Sequence, residues 1–284
     1  MGQGIAANLL KGGYRLRVFN RTSEKARSLV EQGAVLVDQP SEAAESGSIV
    51  FTMLADDFAL RSVVLESADF AKRLAPGGIH VSMSTISPDT ARELSEHHAQ
   101  NGVVFLSAPV IGRPDRAAAG TLFVLLAGKF EAKERVSPIL ERISQRIFDF
   151  GEDPWLSNIA KLVFNFNIAA AIEIMAESFT LAEKNGIPRV KMAELLSETL
   201  FSSVIYRGYG DLIARQAYEP AGFRLNLGWK DIRLVLQIAA ESATPLPIGS
   251  LLRDRLLSAL AKGREDLDWS ALALCASDDA GLGK

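Results

Sequence analysis

One stretch, residues 153–185, limits what this chain can become. It carries apolar residues at helical spacing for about eight turns, well beyond the usual three or four. Asp153-Pro154 and Ser157 each supply a start signal, and Asn185-Gly186 with Pro188 beyond supplies the stop. The helix is apolar on nearly every side, so most of it is expected to lie buried between other elements. Asn165, Asn167, Glu173 and Glu177 interrupt it too often for a membrane span. Lys161 and Asn165 stand near its start, spaced i, i+4 and therefore on one face. A cation and an amide at the head of a buried helix need a reason, and they are the first candidates for an active site.

Upstream of that helix, segments 15–20, 34–37, 48–54, 80–84, 103–110, 121–128 and 146–150 read as strands. Helical segments 23–32, 89–99 and 131–143 lie between them. Strands rich in Val, Ile and Leu, without polar alternation, predict a mostly parallel sheet covered on both faces. After Phe150 the strand signals stop, and residues 155–274 read as helices punctuated by Gly186-Ile187-Pro188, Glu219-Pro220 and Pro245-Leu246-Pro247. The expected architecture is therefore an α/β domain over residues 1–152, with a doubly wound parallel sheet of Rossmann type. An all-α domain over residues 153–284 follows, and the long helix joins the two. A net charge of −3 gives no electrostatic case for nucleic acid. Cys275 is the only cysteine, which points to a reducing compartment, and no leader or anchor motif is visible, so a cytoplasmic protein is expected.

The beginning is abrupt. Residues 1–10 already read as a helix leading into the strand 15–20. A doubly wound nucleotide-binding domain normally opens with a strand and a G-x-G-x-x-G turn, and only then this helix. Gly2 fits the last of those glycines, the one that lets helix and strand pack closely, while the first strand has no counterpart here. At the end of the strand 15–20 stands Asn20-Arg21-Thr22-Ser23, where NAD enzymes usually place an acid for the ribose hydroxyls. A guanidinium, two hydroxyls and a helix start suit a 2′-phosphate instead. The same residues also suit a plain helix cap beside a solvated Arg21.

Taken together, these pieces resemble the β-hydroxyacid dehydrogenase family, which includes 3-hydroxyisobutyrate dehydrogenases and glyoxylate/succinic semialdehyde reductases. The resemblance runs through Asn20-Arg21-Thr22, Ser82-Met83-Ser84-Thr85-Ile86-Ser87-Pro88, Ala108-Pro109-Val110 and Gly120-Thr121-Leu122. It continues through Lys161 and Asn165, Phe223-x-Leu225, and Lys230-Asp231, in the family's order. It implies an NADP(H)-dependent oxidoreductase, with NAD(H) as the second-choice cofactor. The substrate would be a small carbonyl compound or the matching 2- or 3-hydroxy acid. Lys161 would pass a proton to or from the substrate oxygen, and Asn165 would hold the substrate or the lysine. To release that proton near neutral pH such a lysine must be less basic than usual, which burial brings about. On residues alone, Lys161 equally fits a snorkelling cation and Asn165 a satisfied core amide.

Gly2, Asn20, Arg21, Thr22, Leu54, Ala55, Thr85 and Lys230 are the cofactor positions the resemblance implies. Ser84, Ile111, Gly112, Arg113, Phe223 and Asp231 are the substrate positions. Family members that bind small carboxylates read A-P-V-S-G-G, whereas this chain has Ile111-Gly112-Arg113 after Val110. Ile111 removes a hydroxyl, and Arg113 or Arg116 can restore an anion site by direct pairing. His80 and His97-His98, on a strand and a polar helix, have no partners at metal spacing, so no metal is expected. Trp155, Trp229 and Trp269 read as packing residues. A homodimer or homotetramer is expected, because a helix apolar all round needs more cover than the remaining residues give. An imine reductase, which shares the fold but usually replaces the lysine, and a non-catalytic relative lacking full cofactor binding are the rival readings.

The absent first strand yields a test. About ten residues upstream, an apolar strand with its glycine turn, are expected in the working protein. A chain carrying them should melt higher and bind NADPH more tightly than residues 1–284. Equal melting temperatures and equal affinities would count against this reading.

Overall fold

The computed structural model describes residues 1–67 and 69–282. They form two compact units, Met1–Lys161 and Leu162–Lys284. In the first unit, eight strands follow in chain order: β1 (Arg17–Val18), β2 (Val35–Leu36), β3 (Ile49–Thr52), β4 (Ile79–Ser82), β5 (Val104–Ser107), β6 (Val110–Ile111), β7 (Leu122–Leu126) and β8 (Ser144–Asp149). β3, β4 and β5 form a parallel sheet with Ile79 opposite both Ile49 and Val104. β6 runs antiparallel to β7, and β7 parallel to β8. An antiparallel bridge between Ser107 and Ala127 stitches the end of β5 to the end of β7.

The unalternated apolar runs behave as expected: all four residues of β4 are buried. Ile79 and Val81 join the layer made with Ile5 and Leu9 of the helix Gly2–Lys11 and Val136 and Leu140 of the helix Phe130–Leu140. The opposite layer holds Leu60 and Val64, Phe70, Leu74, Leu94 and Phe105. Helices on both faces of a parallel sheet are the doubly wound plan. The helix Gly2–Lys11 approaches the helix Pro114–Ala119 so closely that a Cβ on Gly4 would come 2.8 Å from the backbone nitrogen of Ala118. That approach is between two helices; at Gly2, where a close helix–strand approach was expected, a Cβ would make ordinary contact with Met53 at 3.6 Å.

Three features differ from the sequence reading. β1 and β2 form a separate parallel ribbon that shares no ladder with β3 among the described residues. The helix expected over 23–32 is a 3-10 turn, Ser23–Ala26, followed by a single α-turn, Arg27–Val30. His98, expected on a polar surface, is wholly buried. His80 and His98 meet through Nδ1 and Nε2 at 2.8 Å, and Thr52 Oγ1 lies 2.9 Å from His80 Nε2. Phe70 and Phe105 enclose the pair. Burial, with His97 nearby, drives His98 down to about 3, and burial, with His98 nearby, lowers His80, so both rings stay neutral.

The second unit is built on the long helix Pro154–Lys184, which enters it at Leu162. Ile172, Met175, Ala176 and Phe179 pack with Tyr209, Ile213, Ile232 and Leu256 from three further helices. By length and composition alone this helix is long and apolar enough to cross a bilayer, with a mean hydropathy of 1.6 over an 18-residue window, so its polar interruptions do not by themselves exclude a span. Its packing decides the matter. Ile172 and Phe179 are almost fully buried against other helices, and Glu173 is buried against Arg255 Nε at 2.8 Å. It is a core helix, though less covered than expected: Val163, Ile174 and Leu181 remain at least half exposed.

Glu173 gives the fold a pH signature. Burial pushes its carboxyl from 4.5 up to about 7, Arg255 opposes that, and Glu177 adds to it. Between those values the folded chain keeps a proton that the unfolded chain has lost. Stability tied to this group is thus complete at low pH and lost as pH rises toward 7. Glu173→Gln keeps the neutral shape, so relative to wild type it should gain about 2–3 kcal/mol between pH 5 and pH 8. Urea melts at the two pH values measure this; a constant difference would refute it.

Candidate active site

In the first unit the carboxyl ends of β1 and β3–β5 form the edge where ligands bind in such sheets. Asn20 Oδ1 accepts from Thr22 N at 3.0 Å and closes a turn with Arg21 at its tip. Asn20, Arg21 and Thr22 are all exposed, and no ion pair among the described residues engages Arg21. Thr22 occupies the N-cap position but makes no side-chain capping bond, which leaves its hydroxyl outside the cap.

The next two loops are clamped together. Leu54 N donates to Ser84 Oγ at 2.8 Å. Ser87 donates twice to Asp57 Oδ1, from N at 2.9 Å and from Oγ at 2.5 Å. Half-buried Thr85 lies between these two braces, and Ala55 stands exposed on the facing loop. Ser84 was expected to meet substrate. It is instead fully buried, with its hydroxyl engaged by Leu54, so it acts as a brace behind Thr85.

The segment expected to be a substrate loop is partly strand. Ile111 ends β6 and pairs with Phe123 of β7. Gly112 has φ of +145°, and a Cβ there would meet Leu122 Cδ2 at 2.6 Å, so only glycine fits. Arg113 heads the helix Pro114–Ala119 and is half-buried.

The long helix starts at Pro154, two turns before Lys161, so its N-terminal partial charge has faded there. Its first turn is fastened to the end of β5: Asn158 Nδ2 donates to Ser107 Oγ at 2.8 Å, and Ser157 Oγ to Ser107 O at 3.3 Å. Sequence reading missed Asn158. The available signal was its spacing, since positions 158, 161 and 165 put polar groups on one face of an apolar helix. Lys161 and Asn165 on that face are 8% and 3% exposed.

In the second unit Asn165 Nδ2 donates to Asp231 Oδ2 at 2.5 Å, and Lys230 Nζ lies 3.1 Å from Asp231 Oδ1. Three positions chosen from sequence thus meet in one cluster around a carboxylate that is 1% exposed. Phe223 lies edge-to-face on Trp269, with ring centroids 4.7 Å apart, and its N donates to Asp268 Oδ2 at 3.2 Å. A packing role therefore accounts for its ring. The described residues contain no cluster of metal-ligating side chains.

Comparison with known proteins adds to this geometry. Residues 1–151 match the family described as the NAD binding domain of 6-phosphogluconate dehydrogenase. Residues 157–275 match the NAD-binding region of NADP-dependent 3-hydroxyisobutyrate dehydrogenase. The chain is 44% identical over 275 residues to the uncharacterized oxidoreductase YfjR of Bacillus subtilis, covering 97% of this chain and 96% of that protein. It is 32% identical over 281 residues to the 3-hydroxyisobutyrate dehydrogenase of Pseudomonas aeruginosa, covering 96% and 94%. The Mycobacterium tuberculosis 3-hydroxyisobutyrate dehydrogenase solved with L-serine superposes with a TM-score of 0.85 at 27% identity, covering 96% and 94%.

Proposed function

The chain belongs to the β-hydroxyacid dehydrogenase family and is an NAD(P)-dependent oxidoreductase acting on hydroxy acids; from that premise we propose that it prefers NADP(H) and uses Lys161 as its general acid and base. The observation that carries this reading is buried Lys161 one helical turn before Asn165, whose amide is itself fixed by Asp231. A bound nicotinamide would supply or accept the hydride.

The chain's own residues do the rest. In the reducing direction Lys161 Nζ gives its proton to the substrate oxygen as that oxygen becomes an alkoxide; in the oxidising direction it takes the proton back. Asn165 presents its amide to the substrate from an orientation set by Asp231, and Lys230 balances the charge of that carboxylate. Exposed Arg21, at the tip of its Asx turn and in no ion pair among the described residues, suits a dianionic 2′-phosphate, and Thr22 completes the shell. Leu54, Ala55 and Thr85 line the cofactor from the clamped loops, and Gly2 faces it from the first helix. Of the substrate positions that the resemblance implies, Ile111, Gly112 and Arg113 belong to the first unit and Phe223 and Asp231 to the second. Val163, Ile174 and Leu181, separated by 11 and 7 residues, share one exposed apolar face, which favours a homodimer or homotetramer. Buried Cys275 suits a reducing cytoplasm.

Lys161→Ala should lower kcat by about 10²–10⁴-fold while leaving NADPH affinity nearly unchanged, because the lysine acts on the substrate oxygen. Steady-state turnover beside an NADPH titration tests this, and a variant with near wild-type turnover would remove Lys161 from the mechanism. Arg21→Glu should shift preference from NADP(H) toward NAD(H) by about 1–3 kcal/mol in kcat/KM, the scale of a charge-assisted hydrogen bond. Equal use of both cofactors by the wild-type enzyme would defeat the assignment.

A further inference from the structure

Among the described residues Phe58 is the most exposed aromatic side chain, at 76%. It is the second residue of the helix Asp57–Val64, directly after the carboxyl end of β3. Such exposure forgoes the stabilisation that burying a phenyl ring gives. Yet the backbone beneath it is among the best-held parts of this edge. Asp56 Oδ1 accepts from Ala59 N at 2.8 Å, and Asp57 is held by both groups of Ser87. Leu60 and Val64, one and two turns on, are fully buried. The ring therefore stands in water on a rigid base, and it makes no ring contact among the described residues.

We propose that Phe58 is a stacking platform for the adenine ring of the dinucleotide. This inference rests on the NADP(H) reading above. If Arg21 and Thr22 hold the 2′-phosphate, the adenosine ribose lies at the carboxyl end of β1, and the base attached to it lies within one ribose width. The 3-10 turn Pro40–Ala43 touches both β1 and the helix bearing Phe58, which links that helix to the strand followed by Arg21, and Phe58 stands near the start of its helix, after the carboxyl end of β3. A purine offers a flat face that an exposed phenyl ring covers without needing hydrogen bonds. A ring fixed before the ligand arrives loses little freedom on binding.

The test uses the full chain with three probes: NADPH, adenosine 2′,5′-bisphosphate, and reduced nicotinamide mononucleotide, which lacks the base. Phe58→Ser should weaken the first two by about 5- to 100-fold and leave the third unchanged. Phe58→Trp should restore their affinity, and its added indole emission should be quenched by adenosine 2′,5′-bisphosphate beyond the wild-type response. Wild-type-like affinity of Phe58→Ser for the bisphosphate would overturn the platform while leaving the cofactor reading intact, and would hand the exposed ring to a protein partner. A wild-type chain that binds neither NADPH nor the bisphosphate would overturn both.

Discussion

The helical unit is organised around one hydrogen bond, from Asn165 Nδ2 to Asp231 Oδ2 at 2.5 Å, made where neither residue meets water. Taking a carboxylate into such a place costs several kcal/mol unless its oxygens are engaged. Here Asn165 hydrogen-bonds one oxygen, while the other accepts no hydrogen bond among the described residues and has the charge of Lys230 Nζ 3.1 Å away. A pair of leucines would fill the same space without that penalty, so stability does not explain the arrangement. What it does provide is orientation. An amide that is tethered by its donor end presents its carbonyl in a fixed direction, one helical turn from Lys161. Fixed direction is what an acid–base site requires of its neighbours.

The first unit reaches the same end with different means. Its ligand edge is made of loops, which are ordinarily the mobile part of a fold. Ser84 joins the Thr85 loop to Leu54, and Ser87 joins it to Asp57, so two loops from adjacent parallel strands move as one piece. Asn158 and Ser157 do the same for the head of the long helix at Ser107. Each brace is a short polar side chain donating to or accepting from a neighbouring loop, and each fixes the backbone next to a residue of the proposed site (Thr85, Phe58, Lys161).

Most of the architecture was readable from the chain because it rests on periodicity. The long helix, the buried run of β4 and the change from strands to helices after Phe150 are repeated signals, each carried by many residues. The misread positions depend on single contacts that periodicity does not encode. Ser84 and Thr85 are adjacent hydroxyls in one motif, and only the position of Leu54 N decides which becomes the brace. His98 lies in a helix of mean polar character, and its burial follows from a cavity walled by Phe70 and Phe105, 28 residues before it in one case and 7 after it in the other. Gly2 and Gly4 are indistinguishable in sequence; the approach of Ala117–Ala118, more than a hundred residues away, separates them.

The departure at Ile111 takes a sharper meaning once its surroundings are known. Ile111 is tied to Phe123 by the β6–β7 ladder, and Gly112 is locked by Leu122 on one side and Arg116 Cβ on the other. The ladder fixes the register of this position, so isoleucine in place of serine changes what the segment presents there. On the proposed reading, the cations nearest this segment in the chain are Arg113, which heads the helix Pro114–Ala119, and Arg116, whose Cβ lies close to Gly112. A guanidinium differs from a hydroxyl in charge, reach and two-pronged geometry. On the proposed reading, the reaction type is set by Lys161 and Asn165 and is shared across the family, while the choice of hydroxy acid is made at this short rigid segment. Substrates whose anion stands farther from the carbonyl should suit it better than the smallest hydroxy acids, because the isoleucine side chain fills the space nearest the backbone.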